Sequence, residues 1–213
     1  MNVNETQAML YFTAEKMVES EPTLTALDQV IGDGDHGIGM QRGFAAVRQQ
    51  LQDPAFQAHD IGDLFNQIGT KLMTTMGGAS GAIFGTLFRA GGKSIPGETQ
   101  LTSQVLATLL NQGWRAVHQR GQAKPGDKTM VDALAAAAQT AQAEATKPLD
   151  QALAAVAKAA MAGAEQTQTM IAVFGRAKNL GERALGHIDP GAMSMAYILT
   201  FMSDYVRHSA RYT

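Results

Sequence analysis

Apolar residues recur along this chain at spacings of three and four, and almost nowhere at two. From about residue 3 to residue 20, Met9, Leu10, Phe12, Ala14, Met17 and Val18 fall on one helical face. A second helix is predicted from near Gly37 to about Leu51, through Met40, Phe44, Val47 and Leu51, and Asp53-Pro54 breaks it. A third runs from about Ile61 to Met76, with Leu64, Phe65, Ile68 and Leu72 on one side. The cluster Gly77-Gly78-Ala79-Ser80-Gly81 precedes a fourth, from about Ser80 to Ala90, and Gly91-Gly92 and Pro96-Gly97 mark the loop after it.

The second half continues the rhythm. A fifth helix spans about Leu101 to Arg120, with Thr102 as its N-cap. Gly121 to Gly126 form a loop, and Asp127 is read as the N-cap of a sixth helix reaching about Ala145. Pro148 separates it from a seventh, about 149 to 169. Both are alanine-rich, which favours helix, and Val131, Leu134, Leu153, Val156 and Met161 give them a packing face. A glycine-bearing loop from about Val173 to Asp189 leads into an eighth helix at Pro190, with Asp capping and Pro opening it. Strand-like alternation is scarce and no linker interrupts the pattern. The prediction is an all-α single domain over residues 1–213, built from about eight helices.

The residues suited to chemistry are unevenly spread. Asp28–Gly39, Gly77–Gly81, Gly121–Thr129, Arg176 and His187–Gly191 all fall in the first, third, fifth and seventh connections. The second, fourth and sixth hold spacer sequence such as Lys147-Pro148. In an antiparallel helical array, odd connections share one end, so a single functional end is expected.

Composition narrows the classes. Charged residues make up 17% and hydrophobic ones 45% of the 213 residues, which is globular and not disordered. A net charge of −2 offers no basic face for nucleic acid. There are no cysteines, which excludes disulfides and thiolate metal sites and fits a reducing compartment. The first residues lack the basic-then-apolar order of a signal peptide, and no apolar run approaches the roughly eighteen residues of a membrane span. A cytoplasmic protein with no membrane partner is expected.

Asp28, Asp33 and Asp35 place three carboxylates within eight residues, among Gly32, Gly34 and Gly37. Close carboxylates repel unless a cation lies between them, and glycines let the chain fold them together, so a hard divalent ion is one reading. A solvated acidic turn is the other. The spacing lacks the later ligands and the terminal Glu of an EF-hand. Mg²⁺ shared with phosphate fits better, because Mg²⁺ takes few carboxylates and completes its shell with water and phosphate oxygens. Gly77–Gly81 opens a helix and can offer amides to an anion, or can be a tight turn capped by Ser80. Gly121–Thr129 fails as a Walker A loop: Asp127 intervenes before Lys128-Thr129 and no strand precedes it. Arg176 can neutralise phosphate or be an ordinary surface arginine. Of His36 and His187, His36 is the better ligand candidate because it adjoins Asp35.

Ile31-Gly32-Asp33-Gly34-Asp35-His36-Gly37, Gly77-Gly78-Ala79-Ser80-Gly81, Gly126-Asp127-Lys128-Thr129-Met130, Gly181-Glu182-Arg183 and Gly186-His187-Ile188-Asp189-Pro190-Gly191-Ala192 occur in this order. Together they resemble the nucleotide-binding L subunit of dihydroxyacetone kinase over nearly the whole chain. The resemblance implies an antiparallel eight-helix barrel with ADP or ATP at one rim. It implies two Mg²⁺ ions between the phosphates and Asp28, Asp33 and Asp35. His36, Gly37, Ile38, Gly39, Ala79, Ser80, Gly121, Met130, Arg176, Asp189, Pro190 and Gly191 would line the nucleotide. Position 39 is often Asn in such proteins and is Gly here, which would remove a side-chain contact to the nucleotide. The resemblance also implies two partners: a K subunit that holds the keto-sugar covalently through a histidine, and a phosphohistidine M subunit of the phosphotransferase system that rephosphorylates bound ADP. The base acting on the sugar hydroxyl would then lie on the partner, and this chain would be half an enzyme. Exchangeable ATP, another short ketose such as erythrulose, a regulatory nucleotide-binding module and a homodimer stay open.

Overall fold

The computed structural model describes residues 1–209, and within them every regular element is helical. There are nine α-helices: α1 (Val3–Glu19), α2 (Glu21–Ile31), α3 (His36–Gln52), α4 (Ile61–Thr75), α5 (Gly78–Lys93), α6 (Ser103–Gly121), α7 (Met130–Ala143), α8 (Leu149–Gln166) and α9 (Pro190–Ser209). Two 3-10 turns, Thr167–Thr169 and Arg176–Ala184, lie in the long connection before α9.

The count of eight was one short. The added helix is α2, inside what the sequence pattern gave as loop. Pro22 sits in the first turn of α2, where a missing N–H costs nothing. Leu24, Asp28 and Ile31 then follow at helical spacing and are buried. α2 packs chiefly on α3 and α9, outside the succession formed by the other eight. In that succession α1 packs on α3, α3 on α4, and so on through α8 on α9, and α9 returns to α1. This closure is compatible with the expected barrel. Because α2 lies wholly within the first connection, the odd connections still meet.

Close helix approach holds the ring together. Between α4 and α5 a Cβ on Gly92 would stand 2.4 Å from the Gly62 carbonyl oxygen, and one on Gly69 2.5 Å from the Arg89 nitrogen. Ala133, Ala137, Ala160 and Ala164 are fully buried, so the alanine-rich helices α7 and α8 are packed elements. Asn2 caps α1 and Thr102 caps α6, each by accepting a backbone N–H. Among the described residues no helix is long and apolar enough to cross a membrane.

Candidate functional site

The four odd connections converge on one cavity of about 430 Å³. Its acidic wall comes from the end of α2. Asp28 is buried in the last turn, and the chain doubles back over it at Gly32, where a Cβ would lie 2.1 Å from Asp28 Oδ1. Gly34, at φ 78, completes the reversal into α3. His36 N donates to Asp28 Oδ2 at 3.1 Å. One oxygen from each of Asp28, Asp33 and Asp35 lies within 4.8 Å of the others. Arg176, reaching in from the long connection, pairs with Asp33 at 2.7 Å. Loss of solvent, then the Asp33 and Asp28 carboxylates, push Asp35 above the ordinary carboxylate range, while Arg176 opposes them. One guanidinium therefore faces three carboxylates. An all-oxygen donor set with excess negative charge fits a hard divalent cation such as Mg²⁺.

His36 stands between this wall and two helix starts. Its Nε2 lies 2.8 Å from Ser194 Oγ, and its Nδ1 3.3 Å from Ser80 Oγ. Ser194 donates its own hydroxyl to the Pro190 carbonyl at 3.0 Å. That leaves Nε2–H as donor to Ser194 and Nδ1 as acceptor from Ser80. Burial lowers the His36 pKa, in keeping with this neutral tautomer, against an opposing pull from Asp28.

The opposite walls are helix N-termini. α5 begins at Gly78 after Gly77 at φ 79, and its first intrahelical bond runs from Gly81 N to the Gly77 carbonyl. The amides of Gly78, Ala79 and Ser80 therefore precede the helical ladder. Arg42 fixes this turn from behind: its Nε donates to the Thr75 carbonyl at 2.9 Å and its other end to the Met76 carbonyl. At α9, Asp189 Oδ2 accepts from Ala192 N at 2.7 Å, so Asp189 caps the helix that Pro190 opens, as predicted. Burial raises the Asp189 pKa to about 7, a rise that its bond from Ala192 and the charge of Lys128 oppose and that Asp132 and Asp28 reinforce.

The cap assigned to Asp127 is a correction. α7 starts at Met130, and Thr129 caps it: Thr129 Oγ1 accepts from Val131 N at 3.1 Å, and Asp132 Oδ2 accepts from Thr129 N at 2.8 Å. Asp127 instead accepts from Lys124 N at 2.9 Å within the turn, and its carbonyl accepts from Val173 N at 3.1 Å.

Of the residues expected at the site, Asp28, Asp33, Asp35, His36, Ala79, Ser80, Gly121, Met130, Arg176, Asp189, Pro190 and Gly191 line the cavity. Gly37, Ile38 and Gly39 do not. Gly37 is where α3 meets α2, since a Cβ there would stand 2.2 Å from Thr25 Oγ1. Ile38 is 51% exposed, and Gly39 faces the Met76 carbonyl. His187 is also outside the lining. The sequence reading missed Phe174 in the wall, Ser194 behind His36, and above all Lys128. Lys128 is 1% exposed and has φ 60, a left-handed backbone costing a non-glycine residue about 1 kcal/mol. Its Nζ donates to the Thr167 and His187 carbonyls, both at 2.5 Å. Burial lowers its pKa, with Asp189 and Asp132 opposing.

With this geometry in view, the chain's likeness to known proteins is informative. Residues 30–204 match the family model described as the DAK2 domain. The chain is 42% identical over 173 residues to the ADP-binding subunit of a PEP-dependent dihydroxyacetone kinase of Listeria innocua, covering 80% of each. It is 37% identical over 207 residues to the corresponding Escherichia coli subunit, covering 95% of this chain and 98% of that one. Among solved structures it resembles the dihydroxyacetone kinase of C. freundii in complex with AMP-PNP and Mg²⁺, with a TM-score of 0.75 and 28% identity. That likeness covers 93% of this chain but 33% of the longer one. The chain belongs to the DAK2-domain family.

Proposed function

We propose that this protein is the ADP-binding subunit of a dihydroxyacetone kinase, acting in phosphoryl transfer to a sugar held on a separate subunit. The observation that carries the reading is the pairing of three carboxylates with two helix N-termini and Arg176 around one cavity. Asp28, Asp33 and Asp35 would hold Mg²⁺. When bound there, the metal supplies the positive charge that joins carboxylates to phosphate oxygens. The amides opening α5, the start of α9 and the Arg176 guanidinium face the same space and suit the remaining phosphate charge. His36, neutral and fixed by Ser80 and Ser194, keeps the two helix starts in register.

The apolar residues near the cavity support the reading that partners dock here. Val30, Ile38, Ile171, Val173, Phe174 and Leu185 are the exposed large apolar side chains among the described residues; Phe174 lines the cavity, and all six fall in or beside the two connections that bring Asp33 and Arg176 to it. Such clustering suits a protein docked over the opening. A K subunit bearing dihydroxyacetone would dock there, and an M subunit would restore the phosphoryl group on retained ADP. A cytoplasmic location accords with these partners.

The reading is tested on the purified protein. After dialysis against Mg²⁺ buffer, the nucleotide released by denaturation is identified and counted, and phosphoryl transfer is assayed with K and M subunits and a PEP-driven donor chain. Expected are about one ADP per chain and turnover only in the complete mixture. Free exchange with ATP, and turnover without the M subunit, would assign the nucleotide as a substrate. Retained nucleotide with no transfer at all would leave a regulatory module.

A further inference from the structure

Lys128 takes no part in the phosphate chemistry just described, yet the fold commits a buried cation to it. An ammonium removed from water needs acceptors, and Lys128 finds two backbone carbonyls, Thr167 and His187. Among the described residues no carboxylate stands within ion-pair distance of it. The two carbonyls bracket one segment. Thr167 follows the end of α8, and His187 comes just before the cap of α9. Between them runs the connection that carries Arg176 to Asp33 and ends on Asp189-Pro190-Gly191.

That segment has little else to hold it. Its apolar contacts form a small cluster apart from the main core: Ile31, Ala172, Ala177 and Ala184, with Leu180 against them. Midway it is tied by Arg176 to Asp33 and by Val173 N to the Asp127 carbonyl at 3.1 Å, and its other ties gather at its base. Gly186 N donates to the Gln168 carbonyl at 2.8 Å, and Asp189 N to Thr167 Oγ1 at 2.9 Å. Left-handed backbone at residue 128 would suit Gly or Asn, so the side chain there answers a need that the turn alone does not create.

We infer that Lys128 is a positioning residue. Its ammonium clasps both ends of the segment Thr167–Asp189 and so sets where Arg176 and Asp189–Gly191 stand at the cavity. The inference about the segment stands on its own geometry; its consequence for nucleotide rests on the reading under Proposed function.

The test uses the full-length protein with Lys128→Met. Amide hydrogen exchange should accelerate in residues 168–187 and stay unchanged in α4, α5 and α6. MgADP should dissociate about ten-fold faster, as follows if the closed segment falls to about a tenth of its population. Exchange unchanged in 168–187, or accelerated uniformly over all helices, overturns the inference. The absence of cysteine allows a second arm that covers a failure of Lys128→Met to fold. In Lys128→Cys, the introduced thiol is alkylated in denaturant with an aminoethyl group or with a neutral ethyl group, and each product is refolded. Recovery of slow exchange with the aminoethyl form alone supports the clasp. A folded ethyl form with wild-type exchange in 168–187 overturns it. If the unaltered protein binds no nucleotide, the functional reading fails while the exchange result still decides the role of Lys128.

Discussion

Asp189 and the trio Asp28, Asp33 and Asp35 share one cavity and obey different constraints. Asp189 is explained from within the fold. Its carboxylate accepts an amide of α9, its own amide reaches Thr167, and Lys128 lies near enough to favour its charge. The trio is explained only in part. Asp28 accepts one amide from His36, and Asp33 pairs with a largely exposed Arg176. Asp35 is left with its proton affinity raised by its neighbours. A single acid at a helix start is a common structural device, whereas three acids drawn together by glycine turns cost stability unless a cation joins them. The contrast separates a residue that serves the fold from residues kept at the fold's expense.

Replacing one member of the trio should break the contrast most sharply. Asp33→Ala is expected to weaken MgADP binding by about 100-fold, roughly 2.7 kcal/mol, by titration calorimetry. Its melting temperature should not fall, because the charge removed was repelled by two others. Normal MgADP binding in that variant would end the metal assignment. Arg176→Ala comes next and acts in two opposite directions. ADP binding should fall about ten-fold with the loss of a phosphate-facing cation. Binding of Mg²⁺ alone should strengthen, because Asp33 no longer has a competing partner. If Mg²⁺ binding weakened as well, the Arg176–Asp33 pair would be part of the metal site's support and not a competitor to it.

The sequence revealed more of this than short-range patterns usually do, for identifiable reasons. The helical period exposed α1 and α3 to α9, and the unequal distribution of Gly, Asp and His over alternate connections indicated which end of the array would carry the site. What escaped notice needed either a local rule applied differently or a contact between distant residues. Pro22 was passed over, although a Pro in a first helical turn is an initiator. Thr129, followed three residues later by Asp132, carries the reciprocal cap that was assigned to Asp127, and that pattern was present in the sequence. Gly37 was expected to line the nucleotide; it lies outside the cavity lining, at the point where α2 presses on α3. Lys128 was beyond reach, because its partners at Thr167 and His187 are carbonyls that any residue would offer. Burial of a lysine by backbone acceptors leaves no mark in side-chain patterns.

The smallest effect falls on the structural member of the pair. Asp189 has a folded pKa of about 7 against an ordinary value of 3.8, so the folded state holds its proton more tightly than the unfolded chain. Stability from that proton is complete below the unfolded value, declines as pH rises between the two, and is gone above about 7. Asp189→Asn keeps an acceptor for the Ala192 amide but cannot ionise, which makes it the proper reference. Urea unfolding of both proteins from pH 4 to pH 8 should therefore show wild type losing ground to the variant. The slope within that window is at most about 1.4 kcal/mol per pH unit, and the difference should be flat above it. A difference that stays constant with pH would mean that Asp189 is ionised throughout. It would then belong with Asp28, Asp33 and Asp35 as a charge held against the fold's interest, and the distinction between the two acidic walls would have to be redrawn.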